Sequence, residues 1–178
     1  GRIAARTLEH VAKYIKPGIT TNEIDQIVFD FGKSFGAVPG PLGYNGYPKS
    51  CCTSINDVVC HGLPGDEKLK EGDIINVDVT PVLDGFYGDT SATFAVGKVS
   101  DKALDIIEVA RLARDKGIEA IIPGAKTGDI GFATDRIVTR RGYTAVKEIG
   151  GHGVGRIFHD DPFVPAFGKK GRGDILRP

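Results

Sequence analysis

A shift of 106 residues lays one half of this 178-residue chain on the other. Pro17-Gly18 falls on Pro123-Gly124, Thr21 on Thr127, Glu23 on Asp129, Ile24 on Ile130, Phe31 on Ile137 and Gly36 on Gly142. Upstream, Ile3 meets Val109, Ala4 meets Ala110 and Ile15 meets Ile121. Each half reads as a helix, a Pro-Gly stop, a capped helix and then strands. Helix-stop signals are common, so single matches carry little. Caps, stops and apolar positions coincide here, and that indicates an internal duplication. The fold class that follows is α+β, as one domain over residues 1–178 with a first half of about 1–98 and a second half beginning at about 99. The first half finishes with a hairpin over residues 72–95. Its counterpart would begin near position 178, so the reading expects the C-terminal part of the second half to be missing. Gly1 opens directly into a helical pattern and there is no Met, so the chain also reads as truncated at the front.

Within each half the apolar spacing places the elements. Ile3, Ala4, Leu8, Val11, Ala12 and Ile15 mark a first helix that Pro17-Gly18 stops. Thr20 or Thr21 can cap a second, with Glu23 in its first turn and Ile24, Ile27, Val28, Phe31 and Phe35 as its buried stripe. Residues 39–50 are rich in Pro, Gly and Tyr and read as a loop. Thr53 to Cys60 reads as a strand, and Gly72 to Ala95 as a hairpin with Asp84-Gly85 at a type I′ turn. Ser100 can cap a third helix reaching about Ile122, and Thr127 a fourth ending near Gly142. Short strands are expected around 145–149 and 156–158.

Composition removes several functions. Lys and Arg number 23, as do Asp and Glu, so there is no basic excess for nucleic acid or an anionic membrane surface. No apolar run is long enough to span a bilayer, and no signal-peptide pattern is present. Cys51, Cys52 and Cys60 are odd in number and two are adjacent, which fits reduced thiols in the cytoplasm better than a disulfide framework.

The chemistry concentrates in the hairpin and the histidines. Ile75, Val77 and Val79 alternate with Asn76, Asp78 and Thr80. With Asp84-Gly85 as a two-residue turn, Leu83 pairs with Phe86, Thr80 faces Asp89 and Asp78 faces Ser91. Asp78 and Asp89 then become diagonal neighbours with Cβ atoms about 7 Å apart. Pro81 could force a bulge and move this register by one residue. Paired carboxylates resist ionisation unless one is protonated or a cation lies between them. Two divalent ions about 3.5–4 Å apart would fit such a gap; otherwise Asp89 belongs to a polar turn and Asp78 to a half-exposed edge. Of four histidines, His10 lies on the polar side of the first helix. His61 follows the 53–60 strand, His152 sits among glycines at 150–155, and His159 comes seven residues later. Singly, each suits a packed or surface histidine; with the Asp pair they favour a metal site. His and carboxylate ligands suit Mn, Fe, Co or Zn, and the spacing does not choose among them. Gly150 to Gly155 does not follow the dinucleotide-binding glycine pattern. No Walker, His-Glu-x-x-His or Gly-x-Ser-x-Gly sequence occurs.

Several segments in order resemble the type I methionine aminopeptidases over nearly the whole chain. They are residues 43–50 (GYNGYPKS), 54–62 (SINDVVCHG), 76–80 (NVDVT), 84–91 (DGFYGDTS), 151–155 (GHGVG) and Phe158-His159. The resemblance implies a pita-bread fold with pseudo-twofold duplicated halves around an antiparallel sheet. It implies two divalent metal ions, with Asp78 chelating one, Asp89 bridging both and His152 ligating the other. It gives His61 and His159 catalytic and substrate contacts at the scissile amide. Tyr44, Tyr47, Cys52 and Phe158 would line the methionine pocket. It further implies an N-terminal methionine substrate on nascent polypeptides, ribosome proximity, a cytoplasmic location and a monomer when complete.

The sequence departs from the family pattern in places. Pro41 stands where a pocket residue is usual, and Asp160 replaces the glutamate after His159. Two further glutamate ligands of the family have no match within residues 1–178, so this chain by itself is expected to hold metal poorly and to be inactive. Two other functions remain open from the sequence: a non-catalytic pita-bread binding module, and a related metallopeptidase cleaving before proline.

Overall fold

The computed structural model describes residues 1–177 as two compact units. Gly1–Ala103 and Val154–Phe158 form the first, and Leu104–Gly153 with the chain from His159 onward forms the second. Five residues of the second sequence half, Val154–Phe158, therefore lie with the first unit.

In the first unit, α1 (Arg2–Val11) buries Ala4, Thr7, Leu8 and Val11 along one stripe. It stops a turn earlier than the apolar spacing suggests, although Ile15 still packs against the core. Its Thr7 hydroxyl donates to the Ile3 carbonyl at 2.9 Å, which allows a polar residue to be buried there. Thr20, not Thr21, caps α2 (Thr21–Lys33). Its Oγ1 accepts from Glu23 N–H at 3.1 Å, and the Glu23 carboxylate accepts from Thr20 N–H at 2.7 Å. Such a reciprocal cap satisfies two otherwise orphaned donors. Thr21 is buried instead, with Oγ1 accepting from Gly65 N–H at 2.8 Å. Phe31 lies off the core centre, with the His10 ring stacked on it at 4.3 Å and Phe35 edge-on at 5.1 Å. His10 is thus a packing residue between the two helices.

The helices cover one face of an antiparallel sheet ordered β2 (Cys51–Ile55), β3 (Ile74–Val79), β6 (Thr90–Ala95). Ile75, Val77 and Val79 of β3 are fully buried against α1 and α2. A second antiparallel sheet joins β1 (Val38–Pro39), β4 (Pro81–Leu83) and β5 (Phe86–Tyr87). Leu83 pairs with Phe86 around Asp84-Gly85, whose φ values of 53° and 76° are those of the expected type I′ turn. Pro81 causes no bulge. Val79 faces Thr90, Val82 faces Tyr87, and the Pro81 carbonyl accepts from Gly88 N–H at 3.0 Å, so the register runs through unbroken.

The strand expected over 53–60 is shorter and earlier. Asn56, at φ 50°, turns the chain out of β2. Its side chain holds that turn, donating to Asp73 at 2.9 Å and accepting from Ile74 N–H at 3.0 Å. Residues beyond the turn fold back, and Thr53 N–H donates to the Gly62 carbonyl at 2.8 Å.

At the end of the first unit, Ser100 Oγ accepts from Ala103 N–H at the start of α3 (Asp101–Glu119), most of which belongs to the second. Lys126, not Thr127, is the cap of α4 (Thr127–Arg140), and the Asp129 carboxylate accepts from Lys126 N–H at 2.8 Å. The strands are β7 (Gly150–Gly153) and β8 (Asp160–Pro165), an antiparallel pair displaced from the expected 145–149 and 156–158. Glycines at 150, 151 and 153 carry no β propensity, which is why periodicity missed them.

Backbone hydrogen bonds repeat between the units. Gly18, Thr21 and Asn22 donate to Leu69, Glu67 and Gly65, while Gly124, Thr127 and Gly128 donate to Leu176, Asp174 and Arg172. Leu69 and Leu176 donate back to Ile19 and Ala125. Glu23 and Asp129 occupy equivalent cap positions.

Candidate active site

The face of the β2–β3–β6 sheet turned away from the helices is polar. Strand alternation places Cys52 and Ser54, Asn76 and Asp78, and Ser91 and Thr93 on it. Asp78 pairs with Ser91 on one side and Cys52 on the other, as the hairpin register requires. Asp89 immediately precedes β6, and Thr80 Oγ1 donates to its carboxylate at 3.1 Å. The two carboxylates are therefore diagonal neighbours on one face. Asn76 Nδ2 donates to Thr93 Oγ1 at 3.1 Å one step further along. Two carboxylates side by side are costly unless a proton or a cation compensates them. Thr80 is 4% exposed, and its hydroxyl proton fixes one Asp89 oxygen. Hard oxygen donors oriented by a neighbouring hydrogen bond suit a divalent cation.

Beside them runs the returned segment 60–62. Gly62 is fixed because a Cβ there would run into the Thr53 carbonyl oxygen. Its N–H donates to Ser54 Oγ at 3.2 Å. The turn leaves His61 exposed, at φ 54° in the left-handed region, rather than at the end of a strand. Tyr47 ties this segment to β2. Its hydroxyl lies within donating distance of the Cys51 carbonyl at 3.0 Å and the Gly62 carbonyl at 3.2 Å. Burial, then a hydrogen bond with Cys52, pushes the Tyr47 phenol well above its usual pKa, so it stays a donor. Burial also raises the Cys52 thiol, and the Asp78 charge adds to this against the opposing hydrogen bond from Tyr47. Cys51 faces the core and is raised further, first by burial and then by Asp25. Sequence reading missed Asp25, whose carboxylate accepts from Ser50 N–H at 2.7 Å and Cys51 N–H at 3.1 Å and so sets where β2 starts.

Two other pocket candidates meet in an aromatic group. Phe158 is 8% exposed; Tyr44 meets its ring edge-on at 4.9 Å, and Tyr87 stacks on it at 5.1 Å and 16°. Tyr87 was not among the sequence candidates, because an aromatic in a β position reads first as a strand residue. Pro41, the departure from the family pattern, is buried.

The remaining candidates belong to the second unit. His152 lies at the register shift between Gly151 and Gly153, and its ring centre is 4.4 Å from that of His159. Nδ1 of His152 is 2.8 Å from the Gly153 carbonyl. A carbonyl only accepts, so Nδ1 carries the proton in this contact. His159 and Asp160 are exposed. Among the described residues, no three His, Cys, Asp or Glu side chains gather into a group able to hold a metal ion. Asp78 and Asp89 belong to the first unit, His152 and His159 to the second. Among those residues, too, no helix is long and apolar enough to cross a membrane.

Known proteins give this geometry a context. The sequence matches metallopeptidase family M24 over residues 1–178. A methionine aminopeptidase of Rickettsia prowazekii is 48% identical over 177 residues, which are 99% of this chain and 68% of that protein. The crystal structure of methionine aminopeptidase from the same organism matches with a TM-score of 0.97, over 98% of this chain and 71% of that one. The Thermotoga maritima methionine aminopeptidase structure matches at 0.96 with 38% identity, over 98% and 71% of the two chains. Prolidase from Pyrococcus furiosus, 21% identical, shares the fold at a TM-score of 0.82, over 99% of this chain and 50% of its own. Fold and relatives together define a pita-bread, α+β metallopeptidase. The chain belongs to metallopeptidase family M24 and, within it, groups with the type I methionine aminopeptidases.

Proposed function

We propose that this protein hydrolyses the peptide bond after an N-terminal methionine, using two divalent cations for which Asp78, Asp89 and His152 are ligands. The observation that carries the proposal is the unbroken register through Pro81, which brings Asp78 and Asp89 to one face with Thr80 bonded to Asp89. Bound divalent cations would polarise the scissile carbonyl and make water nucleophilic near neutral pH. The ions are drawn from Co, Mn, Fe and Zn.

The chain's own residues then have separate tasks. Asp78 and Asp89 would hold the ions together with His152. His152 would be a ligand on the second unit, its ring oriented by the Gly153 carbonyl at Nδ1. His159 donates a hydrogen bond to the oxygen that gains charge in the transition state. His61 hydrogen-bonds near the amide nitrogen, on a backbone fixed by Gly62 and Tyr47. Tyr44, Tyr47, Cys52 and Phe158 enclose the methionine side chain, since aromatic faces and a protonated thiol suit a polarisable thioether. The substrates are nascent polypeptides, met near the ribosome in the cytoplasm by a monomeric enzyme. The polypeptide 1–178 alone is expected to hold metal weakly and not to turn over.

Relatives at 38–48% identity are methionine aminopeptidases, whereas the Xaa-Pro dipeptidase of Bacillus anthracis is 22% identical, which supports methionine over proline specificity. The test compares Met-Ala-Ser with Ala-Pro peptides, using protein expressed from its complete reading frame with added Mn or Co. Methionine release with no cleavage of Ala-Pro is expected. Cleavage of Ala-Pro alone would move the assignment to the proline-specific class, and release from neither would favour a binding module.

A further inference from the structure

The aromatic group around Phe158 is held by more than its own packing. Residues 154–158 lie along the outside of the hairpin tip. Tyr87 N–H donates to the Gly155 carbonyl at 2.8 Å. One residue on, the Arg156 guanidinium sits 4.1 Å over the Phe86 ring, inside cation–π range. Two residues further, Phe158 stacks on Tyr87 at 5.1 Å. Tyr87 is itself seated against backbone. A Cβ on Gly40 would come within 3.0 Å of Tyr87 Cε1, and Gly40 N–H donates to the Thr80 carbonyl at 2.8 Å. Phe86 is 50% exposed, so the Arg156 contact covers an aromatic face that solvent would otherwise meet. Three contacts of different chemistry thus fasten a five-residue strap to β5, and the strap ends on Phe158.

We propose that Tyr87 and Arg156 are positioning residues that hold Phe158 at a fixed depth and tilt in the methionine pocket, and so set selectivity for the unbranched thioether side chain. This rests on the assignment of Phe158 to that pocket. With Tyr87 stacked on one face of Phe158 and Tyr44 at its edge, the ring cannot swing back to admit a wider side chain. Unbranched methionine fits a fixed ring, whereas branched leucine needs it to move. The hydroxyl of Tyr87 has no part in the stacking, so phenylalanine should replace it.

The test uses protein from the complete reading frame in the variants Tyr87→Phe, Tyr87→Ala, Arg156→Lys and Arg156→Ala, assayed on Met-, norleucine- and Leu-Ala-Ser peptides. Tyr87→Ala should raise KM for the Met peptide about two- to tenfold, the worth of an aromatic pair, with kcat little changed. Arg156→Ala should raise it about two- to fivefold, the worth of an exposed cation–π contact. Both should narrow the preference for Met over Leu, while Tyr87→Phe and Arg156→Lys stay near wild type. A general loss of structure would instead lower kcat on all three peptides alike and leave their ratios unchanged, which overturns the proposal. A second readout needs no turnover. With 4-fluorophenylalanine at position 158, the fluorine resonance should move or broaden in both alanine variants and hold in Tyr87→Phe. An unmoved resonance overturns the positioning role, even in a protein that releases no methionine. Loss of wild-type methionine release with a shifted resonance sinks only the enzymatic reading.

Discussion

Thr80 shows how much one hydroxyl can fix. It is buried, donates to Asp89 and leaves that carboxylate one preferred orientation. Removing a group that orients a ligand typically costs ten- to hundredfold in metal affinity, so Thr80→Ala should weaken Mn binding by about tenfold, measured by calorimetry, and Thr80→Ser should restore it. The cysteines separate at the same scale. Cys51 and Cys52 are buried and their thiols are held up in pKa by that burial, while Cys60 is half-buried. Iodoacetamide at pH 7.5 should therefore modify Cys60 first, as peptide mass mapping would report; early labelling of Cys52 would contradict its burial. Residue by residue, the sequence was informative where identity dictates chemistry. Asp78 stood out as a carboxylate within an apolar strand, and Asp89 through the hairpin register that sets it beside Asp78. Tyr87 and Asp25 did not, because a strand aromatic and a helix-surface acid have ordinary explanations until their partners are visible.

Element boundaries depend on caps that compete. Thr20 beats Thr21 for α2 because Glu23 lies three residues after it and completes the reciprocal cap, while Thr21 turns inward to Gly65. The backbone N–H of Thr20 is the main cause holding the Glu23 carboxyl below the ordinary range, and the N–H groups of Lys126 and Gly171 do the same for Asp129. Both folded-state pKa values are depressed, so the associated stability is present above the unfolded carboxylate pKa and is lost as pH falls through the folded values. Thermal unfolding between pH 3 and pH 7 should show Glu23→Gln and Asp129→Asn losing the most relative to wild type at neutral pH, with the difference closing in acid. Asp25→Ala should cost more, about 1–3 kcal/mol, because it strips the acceptor from two partly buried N–H groups at the start of β2. The hairpin's turn and register were legible, since turn chemistry and alternation agree there, but its division between two sheets, with the tip joined to β1, was not. The strand after Asn56 was not. Its apolar run Val58-Val59 reads as a strand, yet both residues are exposed because the Asn56 turn redirects the backbone. Likewise β7 escaped periodicity because glycine has none.

At the scale of the molecule, duplication was the feature that sequence conveyed best, and the structure extends it. Pro-Gly stops and caps repeat at an offset of 106, while the segments bonded to them, residues 65–69 and 172–176, repeat at 107. That one-residue slip hides the second arm from a fixed-shift comparison, since the paired backbone atoms specify almost no side chains beyond Leu69 and Leu176. The candidate ligands divide between the units, Asp78 and Asp89 in the first and His152 in the second. The account stands on those groups acting together as ligands for divalent cations. The most direct test is methionine release from Met-Ala-Ser by metal-stripped protein, expressed from its complete reading frame and titrated with Mn, in wild type and in Asp89→Asn. The account predicts no release without metal, activity that rises with added Mn in the wild type, and a loss of more than about a hundredfold in the variant. Release that is independent of metal, or a variant that titrates like wild type, would contradict it.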